Sequence, residues 1–133
     1  MTPVARGLVV DASAMVDLLL GTPLGASVRL RLEHQALHAP AHIDAEVLSA
    51  LGRLHRADKL SAPDVRARLG RFAAAPISRH SLESLIEDAW SLRQNLRLVD
   101  ALYAALSAQL ELPLITTDGG LGAAFPRAEL VVG

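Results

Sequence analysis

Short apolar runs and helix-period stripes alternate along the chain. Leu8-Val9-Val10 is an apolar run that ends at Asp11, the pattern of a buried strand closing on an acid. Apolar residues continue from Ala12 to Leu20, where Gly21-Thr22-Pro23 stops the element. Leu24, Val28 and Leu32 recur at helical spacing and predict a helix to about His34, and Ala36–Ala39 a short strand before Pro40. His42 to about Arg56 reads as an amphipathic helix with Val47, Leu48, Leu51 and Leu54 as its apolar stripe. Ser61-Ala62-Pro63-Asp64 starts the next helix, with Ser61 as N-cap, and Val65, Leu69 and Phe72 continue it. Pro76–His80 is extended. Leu82 to about Asn95 predicts a helix with Leu82, Leu85, Ile86, Ala89 and Trp90 inward. Asp100 opens another, with Leu102, Ala105, Leu106 and Leu110 on one face. Leu114-Ile115-Thr116 is a buried strand followed by an Asp118-Gly119-Gly120 turn, and Leu130-Val131-Val132 is the last strand.

Strands that alternate with helices predict a central parallel sheet of about five short strands, covered on both faces as an α/β/α sandwich. No repeat or linker divides residues 1–133, so a single domain is expected. Right-handed crossovers place the strand C-termini along one edge, where such sheets bind ligands.

That edge gives meaning to the acids. Asp11 follows the first strand, Asp118 lies just beyond Leu114–Thr116, Asp100 stands at a helix start and Glu46 in the first turns of the helix after Pro40. Singly, Asp100 reads equally as an N-cap, Asp118 as a turn acid and Glu46 as a solvated first-turn glutamate. Asp11, set between Val9-Val10 and Ala12, has little structural reason to be there. Together on one rim the acids repel each other, and a divalent cation offsets that charge. Oxygen ligands without Cys or His select magnesium or manganese.

Composition narrows the classes. With 51% hydrophobic residues the chain is not disordered, and with no cysteine it has no disulfide framework, thiolate zinc site or thiol nucleophile. A net charge of −1 excludes a strongly basic coat for nucleic acid, though a few placed arginines suffice for an enzyme that touches one. Apolar runs are too short to cross a bilayer, and Asp11, downstream of Arg6, breaks the core of any signal peptide. A cytoplasmic location is expected.

These segments, in this order, resemble the PIN domains, and among them the VapC-type toxins of bacterial toxin–antitoxin systems. The likeness rests on Val9-Val10-Asp11-Ala12-Ser13-Ala14, on Pro40 through His42-Ile43-Asp44-Ala45-Glu46-Val47-Leu48, on Asn95 through Asp100 to Ser107, and on Leu114-Ile115-Thr116-Thr117-Asp118. Val99, where many members carry an aromatic residue, and Ala104, in place of a commoner valine, depart from the pattern. The resemblance implies a PIN-like three-layer fold and a magnesium- or manganese-dependent endoribonuclease that hydrolyses RNA phosphodiester bonds with a metal-activated water. It makes Asp11, Glu46, Asp100 and Asp118 the catalytic and metal-holding residues, with Ser13, Thr116 and Asn95 as supporting groups. It further implies a cognate VapB-like antitoxin and a homodimer.

Around that core, Arg53, Arg93 and Arg97 are candidates for RNA phosphates, with a solvated face or an ion pair as the structural alternative for each. The histidines show no metal spacing, and Trp90 reads as core or dimer interface. The helices around Met15–Leu20 and Leu24–Leu32 and the Val47–Leu54 region are expected to dock the antitoxin. A haloacid dehalogenase-type hydrolase would need an acid where Ser13 stands, and a receiver domain a lysine where none lies, since Lys59 is the only one. The remaining alternative is a non-catalytic PIN-fold regulator that binds RNA or protein.

Overall fold

The structure, a computed structural model, describes residues 7–133, so Arg6 lies outside the described residues. In chain order the elements are β1 (Gly7–Val10), α1 (Ala12–Leu20), α2 (Pro23–Leu32), β2 (Ala36–Pro40), α3 (Ile43–Arg56), α4 (Ala62–Ala74) and β3 (Ile77–His80). A 3₁₀ turn at Glu83–Leu85 leads into α5 (Ile86–Ser91), α6 (Leu98–Leu110), β4 (Leu114–Thr116), α7 (Gly119–Ala124) and β5 (Ala128–Leu130). All strands are parallel, in the order β3-β2-β1-β4-β5. This is the expected α/β/α sandwich.

β1 is the central strand, and Leu8, Val9 and Val10 are fully buried because both faces of the sheet are covered. The chain steps from β1 out to β2 and β3, then returns to β4 on the other side of β1. Right-handed crossovers therefore put α1–α4 on one face and α5–α7 on the other. The strand order reverses between β1 and β4, so their C-terminal ends form the crevice of the sheet.

Two glycines permit the tight α1–α2 corner. Gly21 caps α1 at φ 70°, and its N–H bonds the carbonyls of Asp17 and Leu18. Gly25 lies so close to α1 that a Cβ there would stand 2.0 Å from the Asp17 carbonyl oxygen.

Several expectations are corrected. The helix expected from Leu82 to Asn95 is a 3₁₀ turn followed by the six-residue α5. The tighter turn shifts the helical phase, so Leu85 and Ala89 point inward while Ile86 and Trp90 are 58% and 56% exposed. In α3, Val47 and Leu51 take the core-facing positions, which leaves Leu48, one step round the helix, 57% exposed. Asp118-Gly119-Gly120 begins α7 and is not a mere turn. The last strand lies two residues earlier than expected, because three-residue β4 pairs with Ala128–Leu130. No helix among the described residues is long and apolar enough to cross a membrane.

Candidate active site

Helices α1, α3, α6 and α7 all begin at the C-terminal edge of the sheet, and each carries a pocket acid at its start. Asp11 is the N-cap of α1 and Asp118 the N-cap of α7, while Glu46 and Asp100 lie in the first turns of α3 and α6. Positive ends of helix dipoles thus support every one of these carboxylates. Asp100 is not itself a cap, since α6 starts at Leu98 with Arg97 in the cap position. All four acids line a single pocket, together with Ser13, Asp17, Arg53, Arg97 and Tyr103.

Asp11 sits deepest. Its Oδ1 accepts from the Ala14 N–H at 2.9 Å and the Ser13 hydroxyl at 2.8 Å, and its Oδ2 accepts from the Thr116 hydroxyl. Each of these partners is a neutral donor. Burial pushes its carboxyl up to about 6, the three hydrogen bonds working against that rise and the charge of Asp100 adding to it.

Thr116 ties two acids together: its hydroxyl donates to Asp11 and accepts from the Asp118 N–H at 2.9 Å. Ser13 is a second tie, since its oxygen accepts from the Thr117 N–H and lies within 3.2 Å of Thr116 Oγ1. Asn95 is exposed in the turn before α6 and does not line the pocket.

Glu46 receives the phenol of Tyr103 at 2.7 Å. Burial first, and then that bond and the charges of Glu46 and Asp11, hold the Tyr103 hydroxyl far above the ordinary phenol range, so it stays a donor. Arg97 donates from Nε to Asp100 at 2.9 Å and reaches within 3.9 Å of Asp118. Arg53 lines the pocket and bonds Ser49, whereas Arg93 turns away to cover the Trp90 ring at 4.6 Å.

Two pocket residues escaped sequence reasoning. Tyr103 follows Asp100 by three positions, which places it on the same helix face. Asp17 follows Ser13 by four positions, and it accepts from the Thr117 hydroxyl at 2.8 Å. Helical spacing from residues already suspected would have found both.

The donor set fits a hard divalent cation. Its ligating groups are carboxylates without sulfur or imidazole, and Asp11 is a buried acid without a cationic partner among the described residues. Among the described residues no three such side chains converge closely enough to enclose an ion directly.

A family model for the PIN domain matches residues 8–124. The chain belongs to the PIN-domain family. Within it the VapC-type branch is specified by the 53% identity, over 125 residues, to Ribonuclease VapC3 of Mycobacterium tuberculosis. That match covers 93% of this chain and 91% of the relative. Solved structures share the PIN-like fold. PAE2754 from Pyrobaculum aerophilum aligns at TM-score 0.70 with 21% identity, covering 93% of this chain and 83% of that one. A toxin–antitoxin complex from Klebsiella pneumoniae aligns at TM-score 0.62 with 20% identity, covering 92% and 96%.

Proposed function

We propose that this PIN-domain chain is the endoribonuclease toxin of a VapBC-type pair, a cytoplasmic hydrolase that cuts RNA phosphodiester bonds with magnesium or manganese. The observation that carries this reading is the convergence of Asp11, Glu46, Asp100 and Asp118 on one pocket, each at a helix start. When bound, the cation neutralises that charge, makes water a better nucleophile and stabilises the leaving oxygen.

The chain's own residues do the rest. Thr116 and Ser13 hold Asp11 and the start of α7 in one arrangement, so the carboxylates are oriented before substrate arrives. Arg53 and Arg97 stand on the pocket wall, where their guanidinium groups suit phosphate oxygens of the RNA backbone.

The relatives' naming and the toxin–antitoxin neighbour support an antitoxin partner. An apolar cleft lined by Met15, Leu18, Leu19, Leu32 and Leu37 lies where α1 and α2 meet and suits an amphipathic segment of that partner. Exposed Ile86, Trp90 and Leu98 form a separate apolar face suited to a second copy.

The test is incubation of purified chain with total bacterial RNA, with manganese, magnesium or a chelator, beside Asp100→Asn, and mapping of the new 5′ ends. Discrete cuts that require both the cation and Asp100 are expected. A folded, antitoxin-free chain that makes no cuts would instead be a PIN-fold regulator.

A further inference from the structure

Tyr103 is 1% exposed, yet its hydroxyl ends on a pocket carboxylate, donating to Glu46 Oε1 at 2.7 Å. A buried phenol needs a hydrogen-bond partner, but a backbone carbonyl would satisfy that need as well. The choice of a carboxylate costs Glu46 its freedom. A partly exposed first-turn glutamate samples several rotamers, and this bond selects one of them. The Tyr103 bond and the His42 contact both fall on Oε1, which leaves Oε2 as the oxygen without a donor among the described residues.

His42 braces the same pair. Its ring centroid lies 4.7 Å from that of Tyr103, and its Nε2 stands 3.0 Å from the Val99 carbonyl oxygen and 3.4 Å from Glu46 Oε1. Its Nδ1 is buried without a partner among the described residues, so the ring is engaged through Nε2. Val99 immediately precedes Asp100, and Tyr103 follows it by one helical turn. His42 and Tyr103 thus join the first turn of α3, which carries Glu46, to the first turn of α6, which carries Asp100.

We infer that Tyr103, braced by His42, is a positioning residue that fixes Glu46 against Asp100 so that Glu46 offers one oxygen, Oε2, to the pocket and its cation. This rests on the proposed nuclease reading. It separates Tyr103 from an ordinary core aromatic, for which phenylalanine would serve equally.

The test compares the full chain with Tyr103→Phe, Glu46→Gln and the double variant, reading Mn²⁺ affinity by calorimetry and kcat and KM on RNA. Tyr103→Phe is expected to fold, to weaken Mn²⁺ binding about 10-fold or more, and to lower kcat with KM unchanged. In the Glu46→Gln background the same change is expected to add nothing. Wild-type values in Tyr103→Phe, or losses that simply add in the double variant, overturn the inference while leaving the nuclease reading intact. A wild-type chain that neither binds Mn²⁺ nor cuts RNA overturns the nuclease reading and the inference with it.

A second measurement needs no substitution at Tyr103. It is the only tyrosine in the sequence, so a carbon-13 label at Cζ reports on it alone. Mg²⁺ is expected to shift that resonance in the wild type and not in Glu46→Gln. An unmoved wild-type resonance at saturating Mg²⁺ overturns the inference.

Discussion

Arg97 spans two acids of the pocket, its Nε 2.9 Å from Asp100 Oδ2 and its Nη2 3.9 Å from Asp118 Oδ2. The arginine side chain is 77% exposed, so solvent screens the pair and leaves it easily opened. It supplies positive charge at the place where a cation is needed, and so competes with that cation. On the nuclease reading proposed above, the guanidinium freed from Asp100 would meet a backbone phosphate.

Arg97→Gln is therefore expected to move two affinities in opposite directions. Mn²⁺ binding should tighten several-fold, because a competitor is gone. RNA should bind more weakly, and the slope of log affinity against log salt should fall by about 0.7 for the lost single-strand phosphate contact. Calorimetry and a salt series read both. Unchanged Mn²⁺ affinity together with an unchanged slope would reject the exchange.

Asp11 predicts a pH dependence of the metal-free chain. Its carboxyl rises from 3.8 to about 6, with burial the chief cause. Since the folded value exceeds the unfolded one, protonation favours the folded state. That stability is full below the unfolded value and is lost as pH rises through about 6. In chelator the chain is expected to melt higher near pH 5 than near pH 7.5, and this group alone accounts for about 1.4 kcal/mol of that difference. Asp11→Asn should flatten the profile. Mg²⁺ should raise the melting temperature at the higher pH, because only the folded chain gathers the carboxylates. A wild-type profile as flat as that of Asp11→Asn would contradict a buried charge at this position.

Only Asp11 was legible from its own segment; Glu46, Asp100 and Asp118 each had an ordinary local reading and were marked by sharing one rim and by the family resemblance. Asp11 interrupts continuous burial between Val10 and Ala14. The parallel topology then collects strand ends and helix starts at one edge, which is a property of the fold class and not of any single residue. What stayed hidden depends on phase and on side-chain reach. Ile86 and Trp90 carry the apolar pattern of an inward stripe, but a 3₁₀ turn rotated them outward. The Tyr103–Glu46 bond joins residues 57 positions apart, and nothing in either local segment marks the other as its partner.

The α1–α2 corner sets a stability prediction away from the chemistry. A Cβ at Gly25 would meet the backbone carbonyl of Asp17, which no side-chain rotation relieves. Gly25→Ala is expected to separate the two helices and to cost about 1–3 kcal/mol or more, despite alanine's better helix propensity. Asp17 lines the pocket, so the strain should also lower nuclease activity. Denaturant titration of both chains measures the loss, and equal midpoints would show that the helices separate freely.

The exposed apolar face predicts assembly. Ile86, Ala89, Trp90, Leu98 and Leu102 line one shallow cleft across α5 and α6, and Trp90 and Leu98 remain 56% and 47% exposed. Patches of this kind on soluble chains are commonly covered by a partner. A second copy seated there would bring the two α6 N-termini, and with them the two acidic pockets, toward a shared groove. Trp90→Ser and Leu98→Asp are expected to convert a dimer to a monomer in sedimentation velocity. Each should change the monomer's own stability little, because both side chains are already half in water. A wild-type chain that sediments as a monomer at micromolar concentration, or variants that remain dimeric, would remove this face as the self-association surface.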